Sequence, residues 1–299
     1  MPPIPPPRAD GFTTSTEVPL YWAEYGDASA PPLLLLHGGP GASHEYLLPQ
    51  MLELARDHRV VCYDQRGGGR SRRDEDRAEI GWRDQVHDAG LVATELSVHP
   101  LTLVGYSWGG LLALLYAIEC NAGRSQPVPA ALALLDPAPI TSAFRESFEL
   151  EFARRQSSPH IAAMRAKLAA SGLRERDADA YRQRAFELSV AGYFADPHRA
   201  VDLTPFRVTG RVQQSIWKSL GQFDLGESLR SVHIRSFVTH GRQDPIPLAS
   251  SETVARALDT ECLVLEDCGH VPYVEQPASL FPPLLAFLRG AEAPLPNVF

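Results

Sequence analysis

The sequence predicts an α/β fold: a mostly parallel sheet covered by helices on both faces, with a helical insertion late in the chain. Three observations predict it. Short apolar runs such as "PLLLL", "RVVCY", "LTLVGY" and "ALALL" alternate with longer stretches of helical periodicity. Runs that are apolar throughout belong to strands buried on both sides, which is the condition of a parallel sheet sandwiched between helices. From about Ile140 to Arg230 the rhythm changes, and charged helical patterns replace the strand-like runs.

Each element follows in order. "FTTSTEVPLYWAEYG" from Phe12 alternates apolar and polar residues, so an antiparallel hairpin at the sheet edge is expected. "PLLLLHGGPG" reads as a buried strand running into a glycine loop, and "HEYLLPQMLELARD" as a helix carrying Leu47, Leu48, Met51, Leu52 and Leu54. "RVVCYDQRGGGRS" is strand then loop, and Trp82 to Leu96 is helical. "LTLVGY" is a strand, "WGGLLALLYAIEC" a helix, and "ALALLDPAP" a strand ending at Asp136. After the insertion come "IRSFVTHGRQDP" (strand, loop), "LASSETVARAL" (helix), "ECLVLEDCGH" (strand, loop) and "PASLFPPLLAFLRG" (helix). The organisation expected is a core domain of residues 1–137 and 232–299 and a helical cap of 138–231. No internal repeat is visible.

Composition narrows the function classes. The 299 residues are 44% hydrophobic and 21% charged, an ordinary soluble balance. A net charge of -8 argues against nucleic acid as a partner. No apolar run approaches the length of a membrane span. "MPPIPPPRAD" lacks the apolar centre of a signal peptide. Cys62, Cys120, Cys262 and Cys268 form no C-x-x-C pair and no zinc spacing, so reduced thiols and a cytoplasmic setting are expected. Cys268, two residues before His270, is a further candidate for the pocket wall.

In open α/β sheets reactive side chains collect at the carboxyl ends of the strands. The polar residues just past each expected strand are His37, Asp64, Ser107, Asp136, Asp244 and His270. They include a nucleophile, two histidines and three carboxylates. In "GYSWG", Ser107 stands between Gly105 and Gly109 where a strand meets a helix. A bare G-x-S-x-G arises by chance on the order of once in ten chains of this length, so its placement carries the weight. There it reads as a nucleophile elbow: the glycines leave room for a sharp turn, and the turn makes the hydroxyl project. A neutral serine needs a base, and the base needs a carboxylate to orient it. Ser107, Asp244 and His270 occur in the chain order of such triads, and the Trp108 N–H would be one oxyanion donor.

The remaining candidates have plainer readings. His37 is expected to be a hydrogen-bonded structural histidine, Asp64 and Arg66 to tie a loop, and Glu275 to brace the loop of His270. His87 and Asp88, inside a helix, are expected to be solvated. No histidine–carboxylate set has metal spacing, and "HGGPG" lacks the Gly-Lys-Ser/Thr of a phosphate loop, so neither metal nor other cofactor is expected. Tyr193, Phe194, Phe206, Trp217 and Phe223 could line an apolar pocket or pack the cap.

"HGGPG" (His37–Gly41), "DQRGGGRS" (Asp64–Ser71), "GYSWGG", "HGRQDPIP" and "CGHVPYVEQP" together resemble the α/β-hydrolase superfamily, and within it the prolyl iminopeptidase family of serine aminopeptidases. The match covers Leu33–Pro137 and Arg235–Arg289 well and the insertion poorly. The resemblance implies an eight-stranded sheet with the cap inserted after the sixth strand. It implies Gly39 as the second oxyanion donor and Asp244, in "GRQDP", as the triad acid in preference to Asp136. It also implies cap glutamates that hold a substrate ammonium. The comparable stretch, "GRVQQSIWKSLGQFDL", has Gln213 and Gln214 where an acid is expected. Glu146, Glu149, Glu151, Glu187 and Glu227 are other cap acids. The expected function is therefore a serine hydrolase acting on a small molecule or short peptide. It releases an N-terminal proline or small apolar residue, with a carboxylesterase as the alternative, and Tyr193, Phe194, Gln213 and Trp217 are candidate substrate contacts.

Overall fold

A computed structural model describes residues 3–72 and 79–290. The ends of the expected core domain, 1–2 and 291–299, lie outside them. The chain forms one eight-stranded sheet, β1 (Ala9–Phe12), β2 (Tyr21–Tyr25), β3 (Pro32–Leu36), β4 (Arg59–Tyr63), β5 (Thr102–Tyr106), β6 (Ala131–Leu135), β7 (Arg235–Gly241) and β8 (Cys262–Leu265). Their order is β1-β2-β4-β3-β5-β6-β7-β8. β1–β2 and β2–β4 are antiparallel, and every other pairing is parallel. The edge hairpin is present, but its first strand begins at Ala9. Thr13 and Thr16 instead turn the chain, their hydroxyls bonded to each other and to the backbone of Leu20 and Val18.

The period of two along each strand decides which layer a side chain joins. Leu34, Leu36, Val61, Tyr63, Leu103, Leu132 and Leu134 point to one face. There they meet α1 (Trp82–Glu95), α2 (Trp108–Asn121) and, later in the chain, Leu229 and Val254. Leu33, Leu35, Val60, Cys62, Val104, Ala133 and Leu135 point to the other face, toward Leu47, Met51, Leu280 and Leu284. Each fully buried leucine stabilises the fold by roughly 1.5–3 kcal/mol. The segment from His44 to Arg56 is not the single helix its periodicity suggested. It forms two 3₁₀ helices, His44–Leu47 and Gln50–Arg56, because Pro49 between them has no N–H to continue a helical ladder.

Between β6 and β7 lie α3 (Ser142–Gln156), α4 (Pro159–Ala170), α5 (Leu173–Arg176), α6 (Ala178–Val190), α7 (Gly210–Leu220) and α8 (Gly226–Leu229). The two ends of this insertion are stitched together. Ser142 N–H donates to Phe223 O at 2.9 Å and Leu225 N–H to Ile140 O at 3.0 Å, flanking a bridge between Thr141 and Asp224. α9 (Leu248–Ala257) lies between β7 and β8, and α10 (Pro272–Glu275) and α11 (Pro277–Leu288) follow β8. No helix among the described residues is long and apolar enough to cross a membrane.

His87 is exposed as expected, but Asp88 is not solvated: it is fully buried. Its oxygens accept from Nε and Nη2 of Arg66, both at 2.8 Å, in a bidentate pair, while Arg66 Nη1 reaches Glu17 at 2.8 Å. Helical periodicity could not show this, since the partner lies on a distant loop. Removing one member of a buried pair strands the other charge. Asp88→Ala should therefore lower unfolding free energy by about 3 kcal/mol or more, read from guanidinium midpoints. A loss below about 0.5 kcal/mol would show that the pair carries no weight.

Candidate active site

Ser107 opens α2 directly after β5, with φ 53° and ψ -118°. A non-glycine residue held there stores on the order of 1–3 kcal/mol of strain, and the surrounding packing explains how it persists. A Cβ on Gly105 would overlap the Gly109 carbonyl, and one on Gly109 would overlap the Leu36 carbonyl of β3. Glycine at both positions lets strand, helix and neighbouring strand close to contact distance. Ser107 is half-buried while its flanking residues are buried, so the hydroxyl is the group that emerges.

His270 follows β8 and Asp244 follows β7. His270 Nδ1 lies 2.7 Å from Asp244 Oδ2, and Nε2 lies 2.9 Å from Ser107 Oγ. An ionised carboxylate only accepts, so Nδ1 carries the proton and Nε2 is left to accept from the serine hydroxyl. Burial alone would raise the Asp244 pKa, but the imidazoles of His270 and His240 and the Ile246 N–H hold it below the ordinary carboxylate range. Asp136 goes the other way: full burial, with the Asp244 charge beside it, pushes its carboxyl well above that range. Its Oδ1 accepts from Gly241 N–H at 2.7 Å, and it makes no bond to His270. The environment thus separates two neighbouring carboxyls into one ionised and one neutral.

Gly39 has φ 57°, a conformation that costs glycine little. Its N–H has no partner among the described residues. Trp108 is the first residue of α2, so its N–H has no preceding turn to accept it. A network holds these two segments together. His37 Nε2 accepts from Gln65 N–H at 3.1 Å, the Gln65 amide donates to His37 O at 2.7 Å, and Trp108 Nε1 donates to Gln65 Oε1 at 2.9 Å. Burial depresses the His37 pKa to about 4, so it stays neutral. Gln65 stands one residue past Asp64, the polar residue that ends its strand, and no local pattern distinguishes it. Asp64 itself ties its loop, accepting from His44 and from Arg70 N–H at 2.8 Å.

A sequence model of the alpha/beta hydrolase family matches residues 33–281. The chain belongs to this family. It is 28% identical over 270 residues to the proline iminopeptidase of Lactobacillus delbrueckii subsp. bulgaricus, a match covering 83% of this chain and 86% of that one. A shorter match to the proline iminopeptidase of Xanthomonas citri is 35% identical over 116 residues, covering 39% of this chain and 37% of that one. The crystal structure of proline iminopeptidase from Mycobacterium smegmatis superposes with a TM-score of 0.66 over 94% of this chain and 98% of that one. At 19% identity, that likeness concerns the fold.

In this hydrolase Ser107 and His270 open into a cavity of about 510 Å³ walled by the cap. Gly39, Trp108, Tyr193, Gln213 and Trp217 line it. Phe194 does not: the turn that brings Tyr193 over His270 (ring centroids 5.3 Å apart) buries the next side chain in the apolar cluster that includes Val190, Leu203 and Val271. Phe206 packs on Tyr46 and Phe186, and Phe223 backs Trp217 from outside the cavity. Cys268 is fully buried against the Gly269 carbonyl and does not reach the cavity. Of the five candidate cap glutamates, Glu149 alone reaches it.

Glu275 braces the histidine loop as expected, and also the cap. Its oxygens accept from Gly269 N–H at 2.8 Å and Ala195 N–H at 2.7 Å, while His270 N–H donates to Tyr193 O at 2.7 Å. Burial raises its pKa to about 7. A carboxyl with a raised folded-state pKa contributes its full stability below its ordinary pKa, and the contribution fades as pH rises through the folded value. Between about pH 5 and about pH 8 the Tm of the wild type should therefore fall relative to that of Glu275→Gln. Parallel Tm curves across that window would refute the assignment.

Proposed function

We propose that the protein is a serine hydrolase that works through an acyl-enzyme intermediate. The observation that carries the reading is the relay from Ser107 Oγ through His270 to Asp244, at 2.9 and 2.7 Å. Ser107 attacks an acyl carbonyl as His270 takes its proton. The Asp244 carboxylate stabilises the imidazolium so formed. The developing oxyanion is received by the N–H groups of Gly39 and Trp108, each such donor being worth about 10²–10³ in rate. His270 then returns the proton to the leaving group, and water repeats the sequence on the acyl-enzyme.

The finer reading is a prolyl-iminopeptidase-like aminopeptidase that releases an N-terminal proline or small apolar residue. The proline iminopeptidases among its relatives support it, as do the apolar walls of Phe148, Tyr193 and Trp217. The pocket volume suits a small molecule or short peptide. A specific observation favours a second reading, a carboxylesterase. Recognition of a free ammonium calls for an available carboxylate. Glu149 is the one carboxylate lining the cavity among the described residues, and Arg145 Nε holds it at 2.9 Å. Gln213 and Gln214 can accept from an amine but bring no charge. The unpaired cysteines fit a cytoplasmic setting.

Turnover of proline p-nitroanilide compared with p-nitrophenyl acetate and butyrate separates the two readings. Strong ester hydrolysis without anilide hydrolysis would remove the peptidase. Ser107→Ala should abolish both activities, and retention of either would remove the nucleophile. Asp244→Asn should lower kcat by about 10⁴, and Asp136→Asn by far less. The reverse ranking would transfer the acid's role to Asp136.

A further inference from the structure

We propose that Arg145 determines specificity in this pocket by binding a carboxylate at the end of the substrate's acyl chain remote from the scissile bond. The proposal rests on the serine-hydrolase reading but not on the identity of the leaving group. Arg145 lies on α3, in the cavity wall. Its guanidinium carbon stands 4.3 Å from the centre of the Trp217 ring, and Nε donates to Glu149. One face and one edge of the group are therefore fixed. Its two terminal nitrogens have no hydrogen-bond partner among the described residues.

A planar cation held on an aromatic face with its outer fork free is suited to a bidentate acceptor. Glu149 orients the guanidinium and is paired by it, so the pair offers an ammonium no free carboxylate. Lys218 adds a second positive charge to the same wall. Its 3.1 Å contact with Glu79 joins two exposed groups and holds it weakly. Charged side chains in the wall, His270 apart, are thus two cations and one anion. The run of ring contacts from Trp108 through Trp217 to Arg145 assigns the carboxylate to the acyl side. The leaving group departs toward His270, which Tyr193 covers. Arg145 lies over the ring of Trp217, which packs edge-on at 5.3 Å against the ring of Trp108, the residue whose N–H is one oxyanion donor. An acyl chain starting at the oxyanion donors and following those two indoles ends at the free guanidinium edge.

The test uses p-nitrophenyl half-esters of succinic, glutaric and adipic acids, each beside its neutral methyl ester, with Ser107→Ala supplying the uncatalysed background. At the best chain length the free acid should exceed its methyl ester in kcat/KM by about tenfold or more. Arg145→Gln should erase that preference while changing methyl ester hydrolysis less than about threefold, and Arg145→Lys should restore part of it. The double variant Arg145→Gln, Glu149→Gln separates contact from charge. If the acid preference returns there, the single variant acted only by freeing Glu149, and the proposal falls. It also falls if the wild type prefers the methyl esters or does not discriminate. Fluorophosphonate labelling of Ser107 keeps the two failures apart. Labelled enzyme without acid preference overturns the carboxylate proposal alone, whereas enzyme that cannot be labelled overturns the hydrolase reading beneath it.

Discussion

The arrangement depends on how closely the backbone packs at one turn. Gly109 lies against the Leu36 carbonyl and Gly105 against the Gly109 carbonyl, leaving no room for a side chain at either position. That closeness forces the positive φ of Ser107, and the positive φ lifts its oxygen above the sheet. The same closeness brings the end of β3, with the "HGGPG" loop, beside the first turn of α2. The two N–H groups that would serve one oxyanion therefore come from segments far apart in the chain. The hydrogen bonds joining His37, Gln65 and Trp108 fix that juxtaposition at no entropic cost to the reaction itself, since they are made on folding.

Charge is arranged with comparable economy. Asp244 and Asp136 sit at the ends of adjacent strands, too close for both to ionise in a buried setting. The imidazoles beside Asp244 decide which one does. The neutral Asp136 then spends its acceptor capacity on the Gly241 backbone, shaping the start of the turn that carries Asp244. Two carboxyls that look equivalent in sequence thereby take different electrostatic roles.

The cap is joined to this centre by backbone bonds as well as by packing. Tyr193 and Ala195 engage the His270 loop through a main-chain hydrogen bond and the Glu275 carboxylate, and Thr209 N–H donates to Gly41 O at 2.9 Å. Cap and "HGGPG" loop are thus joined by a backbone bond, and indole, phenol and guanidinium groups line the cavity between them. Its charge balance gives the family resemblance a different emphasis: the ion pair on α3 occupies the carboxylate that an ammonium would need.

The sequence by itself marked the buried strands of the sheet, most of the helices that cover it and the three residues at the strand ends. Strand burial, turn geometry and chain order leave local marks: continuous apolar runs, paired glycines, a polar residue where each run stops. Pro49 also left its mark, although helical periodicity concealed it. Other features were decided only in three dimensions, because they depend on partners distant in the chain. The burial of Asp88 needs Arg66, the support of the "HGGPG" loop needs Gln65 to reach both His37 and Trp108, and the inward turn of Phe194 accompanies Tyr193 covering His270. The cap's amphipathic pattern cannot rank its five candidate glutamates, Glu146, Glu149, Glu151, Glu187 and Glu227. Packing α3 against Trp217 of α7 selects Glu149 and pairs it with Arg145, since only a folded wall brings an aromatic face under a particular guanidinium.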